Sequence, residues 1–444
     1  MKRKSLVLIL TLILAVGMLT GCGGTTPVAS ASASASPSTE AAASASTEAS
    51  APASPAAEPV KIEFFQQKPE EGPQKGYQQV IDSFRKEFPN IEIEMNTVPD
   101  AAKVLTARIS SNDIPPMFSD YPTQMQFKQK VANGFVEKIS GQEFLTRINA
   151  SAITMSKAND GETYALPLSN NFMGIYYNME IFEKQGVKIP QTLPDLLALC
   201  RTLKDNGVEP LAITAKEPGR AGHMFQAVNT AWNQGGVETI AKACEAQLKI
   251  ADDNGFTQLA GKVLSLTEFA NADMFSAADT AVWENFANGK YAMLIAGSYA
   301  RGTLLIANPN LKMGIFPIPN DTVETTNILT GVDAAICMSA TATDAQKDAA
   351  LKFMEFISRT ENAQVFCDSD GAPSCVTEVV YKDSGLNPVI DLIKTGRVHD
   401  WMASTVPGPV VTDLYNVYQG FLMDKNPTKF LEDMDKSIAA TTAK

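Results

Sequence analysis

The sequence predicts an α/β fold in which strands alternate with covering helices, and three observations carry that reading. Between Lys61 and Asp120 the pattern runs strand, helix, strand, helix, strand, which implies a parallel sheet with helices packed on it. After the segment Gly161 to Pro167 the alternation resumes as a second unit. The chain has 444 residues, 45% hydrophobic and 19% charged, a globular balance with length enough for two or three domains that each bury a core.

Lys61-Ile62-Glu63-Phe64-Phe65 is a short strand, and Tyr77, Val80, Ile81, Phe84 and Phe88 recur at helical spacing until Pro89-Asn90 stops the helix. Ile91 to Met95 alternates apolar and acidic residues as a half-buried strand does. A helix over Ala101 to Ser110 and a strand over Met117 to Asp120 complete the first unit. In the second, Gly174 to Asn178 is a strand, Gly186 ends a short helix, and Thr192 with Asp195 forms a capping box that opens a helix closed by Gly207. Leu211 to Thr214 is the next strand; helices follow near 222–233, 255–270 and 278–287, then strands Tyr291 to Ala296, Lys312 to Phe316 and Ala334 to Ser339. Beyond Ser339 the chain is mainly helical, with a long helix from Val410 to Met423.

The amino terminus is read apart from the fold. Lys2, Arg3 and Lys4 precede an apolar run from Leu6 to Leu19 that is shorter than the about 20 residues a membrane span needs, so residues 1–21 are an export signal. From Thr25 to Pro59 every residue but Val28 is Ala, Ser, Thr, Pro or Glu. Nothing there offsets the entropy of ordering, so residues 22–59 are a disordered tether.

Charge and motifs exclude several functions. Lys and Arg number 37 against 49 Asp and Glu, a net charge of −12, and no basic stretch follows residue 4, so nucleic acid is not the expected partner. The chain lacks a Gly-x-Ser-x-Gly elbow, a His-Glu-x-x-His helix, a Cys-x-x-Cys pair and a dinucleotide glycine pattern, so no catalytic residue and no cofactor are assigned. Gly255-x5-Gly261-Lys262-Val263 is one residue too long for a phosphate loop and has Val where Ser or Thr must hold magnesium. Only His223 and His399 are present, and no metal site is expected; both read as surface or hydrogen-bonded residues. Apart from Cys22 there are five cysteines, so at least one is unpaired. Cys200 and Cys337 read as buried small hydrophobes, while a disulfide between Cys367 and Cys375 is left open.

Several segments together resemble one family. Phe84-x3-Phe88-Pro89-Asn90-Ile91-x-Ile93, Gly161 to Pro167, Tyr176-Tyr177-Asn178-x3-Phe182-x3-Gly186, Phe286-Ala287-x-Gly289-Lys290-x-Ala292-Met293-x3-Gly297-Ser298, Phe316-Pro317-x-Pro319 and Ala349-x3-Phe353-x2-Phe356 follow in the order seen in the family 1 extracellular solute-binding proteins of carbohydrate ABC importers. Leu19-Thr20-Gly21-Cys22 likewise resembles a lipobox, which implies diacylation of Cys22 and stable anchoring, since two acyl chains hold where one does not. The resemblance implies a two-lobe periplasmic-binding-protein-like fold of class II, with mixed sheets and three hinge crossings. These are expected at Pro167-Leu168, Ala296-Gly297 and Asp333-Ala334, giving one lobe of residues 60–167 with 297–333 and another of 168–296 with 334–444. Ligand would close the lobes, and permease subunits with a separate ATPase would receive it.

The candidate ligand-binding residues come from two sources. Asp120 and Tyr121, and Phe65 and Gln66, follow strand ends, where α/β sheets place their ligands. The resemblance adds Tyr299, where many relatives have Trp, Phe225 as an aromatic sugar platform, and Trp401 before Pro407-Gly408-Pro409. Trp232, seven residues from Phe225, shares its helical face. Asp333 and Asn171 lie beside expected crossings, and Pro115-Pro116 stands where relatives often carry Pro-Asp. The resemblance implies a sugar or oligosaccharide as the ligand of a non-enzymatic, lipid-anchored monomer outside the cell, in a Gram-positive setting, and a hydroxyl-rich sugar needs such amides and carboxylates with aromatic faces. Two other readings stand beside it: the same fold holding a polyamine, peptide or sugar acid, and a lipid-anchored glycosidase with paired carboxyls about 5–10 Å apart.

Overall fold

The computed structural model describes residues 59–380 and 384–443, so the export signal, Cys22 and the tether before Pro59 lie outside the described residues. The strands are β1 Val60–Phe65, β2 Ile91–Asn96, β3 Met117–Asp120, β4 Ala165–Pro167, β5 Asn170–Asn178, β6 Glu209–Ala212, β7 Tyr291–Gly297, β8 Met313–Phe316, β9 Ile328–Val332, β10 Ala335–Met338 and β11 Val398–His399. They form two sheets flanked by helices.

The first sheet has the order β2-β1-β3-β10-β4. Its first three strands are parallel, as β-α-β connections require, and β10 lies antiparallel between β3 and β4. The alternation of β2 is used directly: Ile91 and Ile93 are buried and Glu92 and Glu94 exposed. Helix Glu71–Glu87 turns Tyr77, Val80, Ile81 and Phe84 inward, where Phe84 meets Phe353 edge-on at 5.3 Å. Each such side chain contributes about 1.5–3 kcal/mol of burial.

The second sheet has the order β11-β9-β5-β7-β6, with β8 also paired to β5. β5 is long enough to be shared: Asn170 to Phe172 pair with β9, and Ile175 to Asn178 with β8. Thr192 and Asp195 form a reciprocal capping box at the start of helix Leu193–Asp205, and Gly207 closes that helix at φ 74°.

Two hydrophobic cores divide the described chain, and their division corrects the expected lobe boundaries. One core takes Ile62 to Leu168 and Val332 to Val376; the other takes Phe172 to Leu329 and Leu386 to Ile438. Segment 297–333 was expected in the first lobe, yet Ala300, Leu304, Ile315 and Phe316 pack in the second core. Segment 334–444 was expected in the second lobe, yet Ile336, Phe353 and Phe366 pack in the first. No crossing occurs at Ala296-Gly297, because β7 lies between β5 and β6 and leads into helix Ala300–Ala307 of the same core. The chain passes between sheets after β4, again between β9 and β10, and last between Val376 and Leu386. What decides this is the pairing of β10 with β3 and β4, a long-range register that local hydrophobic pattern does not encode.

Cys367 and Cys375 are both buried and are not joined in a disulfide, and Cys367 Sγ donates to the Ala372 carbonyl at 2.8 Å.

Candidate functional site

The sheets bring a set of loops and helix ends together around a cavity of about 500 Å³. The first lobe contributes Lys68 and Glu70 from the loop after β1, and Tyr121, Thr123 and Gln124 from the loop after β3. The second contributes Asn171 on β5, Arg220, His223 and Gln226 on helix Pro218–Trp232, Asp279, Tyr299, Trp401 and Tyr415. Asp333, at the second passage between sheets, completes it. The volume lies within the about 300–1,000 Å³ of small-molecule sites, and loops beyond the carboxyl ends of parallel strands are where such sites form.

Helix Pro218–Trp232 explains much of the geometry. Residues three apart share a face, so Arg220, His223 and Gln226 line the cavity together. Phe225 and Trp232 therefore point the other way. Phe225 is fully buried with its ring 5.1 Å from Tyr418 and 6.2 Å from Phe430, and Trp232 donates its Nε1–H to the Pro319 carbonyl at 2.9 Å. Both are core residues, a correction of the sequence expectation. Gly222 on the same helix admits Tyr415, since a Cβ there would stand 2.0 Å from its ring carbons.

Two buried or half-buried cations organise the cavity. Lys68, 4% exposed, reaches Asp333 Oδ2 at 2.5 Å and Asp370 Oδ1 at 2.9 Å, and Ser169 Oγ donates to Asp370 Oδ2 at 2.9 Å. Burial alone would lower the Lys68 pKa, but the two carboxylates hold it well above its ordinary value. Arg220 bonds Asp279 Oδ2 at 2.6 Å and reaches across to Glu70 Oε1 at 3.3 Å, while its guanidinium covers the Tyr299 ring at 4.8 Å. Glu70 belongs to the first lobe and Arg220 to the second, so this pair spans the cleft.

Aromatic and amide groups fill the remaining wall. His223 Nδ1 is 3.2 Å from Tyr299 Oη, and its ring meets Trp401 edge-on at 5.3 Å. Burial, with Arg220 nearby, pushes the His223 pKa down to about 3, so the imidazole is neutral. Trp401 Nε1 donates to Asn171 Oδ1. Gln226 Nε2 donates to Tyr415 Oη at 2.5 Å and its Oε1 accepts from the Met402 N–H at 2.7 Å, so the amide is fixed rather than free to rotate.

Of the residues expected from sequence, Tyr121, Asn171, Tyr299, Asp333 and Trp401 stand around this cavity. Asp120, Phe65 and Gln66 do not. Asp120 is spent on Lys130 Nζ at 2.5 Å and on the Tyr121 N–H at 2.8 Å. Phe65 is buried in the first core under Arg108, and Gln66 donates to the Lys68 carbonyl at 2.6 Å, shaping the loop that presents Lys68. Reasoning from sequence missed Lys68, Glu70, Arg220, His223, Gln226, Asp279 and Tyr415; the three-residue spacing of Arg220, His223 and Gln226 is the signal that was available. No group of three or more metal-ligating side chains occurs among the described residues. A second cavity of about 300 Å³, walled by Phe316, Pro317, Pro319, Pro388 and Leu392, includes neither crossing segment nor cleft aromatics.

Comparison with known proteins agrees with this architecture. The chain is 26% identical over 385 residues to the multiple sugar-binding protein of Streptococcus mutans serotype c, covering 83% of this chain and 87% of that one. It is 22% identical over 316 residues to the melibiose/raffinose/stachyose-binding protein MelE of Bacillus subtilis, covering 68% and 71%. Its fold matches the solute-binding protein RafE in complex with raffinose with a TM-score of 0.77 at 24% identity, over 86% of this chain and all of that one. The profile of the bacterial extracellular solute-binding proteins matches residues 68–364, and the chain belongs to that family.

Proposed function

We propose that this protein captures a saccharide in the cleft between its lobes and delivers it to an ABC importer. The observation that carries the reading is the composition of the cleft wall: the exposed faces of Trp401, Tyr121 and Tyr415 stand beside fixed polar groups of Asn171, Gln226 and Asp333. Flat rings suit the C–H faces of a sugar, and amides and carboxylates its hydroxyls. The named relatives bind sugars, which supports the same class here. Closure follows from ligand contacting both lobes: a closed form that binds better is drawn from the equilibrium.

The same reading makes the protein a carrier that releases its ligand intact. Glu70 and Asp279 are both committed to Arg220 and Asp333 to Lys68, which leaves Glu217 as the one cavity-lining carboxylate without an ion pair among the described residues, not the free pair that a glycosidase uses as acid and nucleophile. The chain has no nucleotide-binding motif, so the permease and its ATPase are other chains. Acylation at Cys22 would hold a monomer on the outer face of the cell membrane, of Gram-positive type, with residues 22–59 as its tether. A thermal-shift titration with mono- and oligosaccharides, polyamines and short peptides tests the reading. Ligand at 100 times its dissociation constant adds about 2.7 kcal/mol, enough to raise the midpoint by several degrees. A shift with one saccharide series is expected; a shift with an amine or peptide alone would refute it.

A further inference from the structure

The charges that face or underlie the cleft do not balance. The cations are Lys68 and Arg220; the carboxylates are Glu70, Glu217, Asp279 and Asp333, with Asp370 beneath Lys68. Both cations already carry carboxylate partners. Lys68 is held between Asp333 at 2.5 Å and Asp370 at 2.9 Å, and Arg220 between Asp279 at 2.6 Å and Glu70 at 3.3 Å. Glu217, exposed at the mouth, has no ion pair among the described residues. His223 adds no charge, because burial keeps it neutral. Burial also raises the Asp370 pKa. Two cations therefore face four carboxylates, an excess of two negative charges, or three with Asp370 ionised.

Resting on the saccharide reading above, we propose that the cleft is a charge filter that accepts uncharged saccharides and rejects acidic ones such as uronates. A ligand carboxylate entering it would find each cation already neutralised by carboxylates and would meet surplus carboxylates in a partly desolvated space, where like charges repel more strongly than in water. The net charge of the whole chain plays little part, because distant surface charges are screened beyond about 8 Å at physiological ionic strength. Specificity here comes from the repulsive element as much as from the attractive ones.

The test uses the full-length protein in detergent and isothermal titration calorimetry with matched pairs: galactose with galacturonate, and raffinose with the raffinose derivative whose galactose C6 alcohol is a carboxylate. For a neutral sugar that binds, its acidic partner is expected to bind at least about 30-fold more weakly, equivalent to about 2 kcal/mol. Raising salt from about 20 to about 500 mM should narrow that ratio, and so should Glu217→Gln, each by about threefold or more. An acidic partner bound within threefold of the neutral one overturns the filter and leaves the saccharide reading standing. A large ratio that neither salt nor Glu217→Gln changes assigns the rejection to shape and overturns it too. If galactose, raffinose and the wider neutral panel all fail to bind, the saccharide reading falls and takes the filter with it.

Discussion

Glu70→Gln removes the charge that joins the lobes across the cleft without shortening the side chain. At 3.3 Å the Glu70–Arg220 attraction is about 5 kcal/mol at an effective dielectric of about 20, before desolvation and side-chain ordering are subtracted. A hydrogen bond between charged groups nets about 1.5–3 kcal/mol, and the glutamine oxygen still accepts a bond worth about 1 kcal/mol, so the loss is about 0.5–2 kcal/mol. Arg220 stays in place because Asp279 holds its Nε at 2.6 Å. A 3.3 Å pair between lobes breaks when the lobes part, so its loss falls on the closed form. Ligand dissociation constants should rise about 2- to 30-fold. The mechanism has a distinguishing mark: a latch that never touches ligand weakens every saccharide by the same factor. Calorimetric titration of wild type and Glu70→Gln with several saccharides reads this out. Affinities unchanged within twofold would refute the latch, and a loss confined to one saccharide would show that Glu70 contacts ligand instead.

Three further predictions follow from the same geometry. Trp401→Ala removes the half-buried ring and its bond to Asn171, and should weaken saccharide binding by at least about 2 kcal/mol, measured by calorimetry; a loss below threefold would remove Trp401 from the site. Gly222→Ala places a methyl 2.0 Å from the Tyr415 ring carbons, so overpacking of about 1–3 kcal/mol should lower the melting temperature and push that ring toward the ligand, with weaker binding as the second readout. Asp400 is pushed up to about 6 by burial, outweighing its bond from the Trp401 N–H and nearby Lys128. A folded pKa raised above the unfolded value gives stability that is complete below about pH 4 and lost as pH rises through about 6. Asp400→Asn should therefore match wild type near pH 4 and melt higher near pH 7.5, by about 1–3 kcal/mol in stability; a melting difference that does not change with pH would contradict the assignment.

Local pattern made the strands legible where one face is buried and the other wet, as in β2, and the capping box at Thr192 was readable because its two residues are three apart in sequence. The division into lobes was not. β7 is buried along its whole length, so nothing in its residues says which sheet it joins or that the chain stays in that lobe afterwards. The helix Pro218–Trp232 shows the same limit at the site. Spacing correctly groups Phe225 with Trp232, but both faces of the helix are buried, and periodicity does not tell the core side from the cleft side. Loop residues beyond strand ends fared according to their partners: Tyr121 faces the cavity while adjacent Asp120 turns to Lys130. Lys68 and Glu70 were invisible because their partners lie 150 residues or more away in sequence.

The saccharide proposed above would lie between the lobes against Trp401 and within reach of Asp333, Asn171 and Gln226. A crystal structure of the protein with the saccharide that gives the largest thermal shift tests it most directly. Ligand density is expected in the cleft, with a sugar face on the Trp401 ring and hydroxyls bonded to groups of both lobes. Density in the cavity between Pro317 and Pro388, or contacts confined to one lobe, would contradict it.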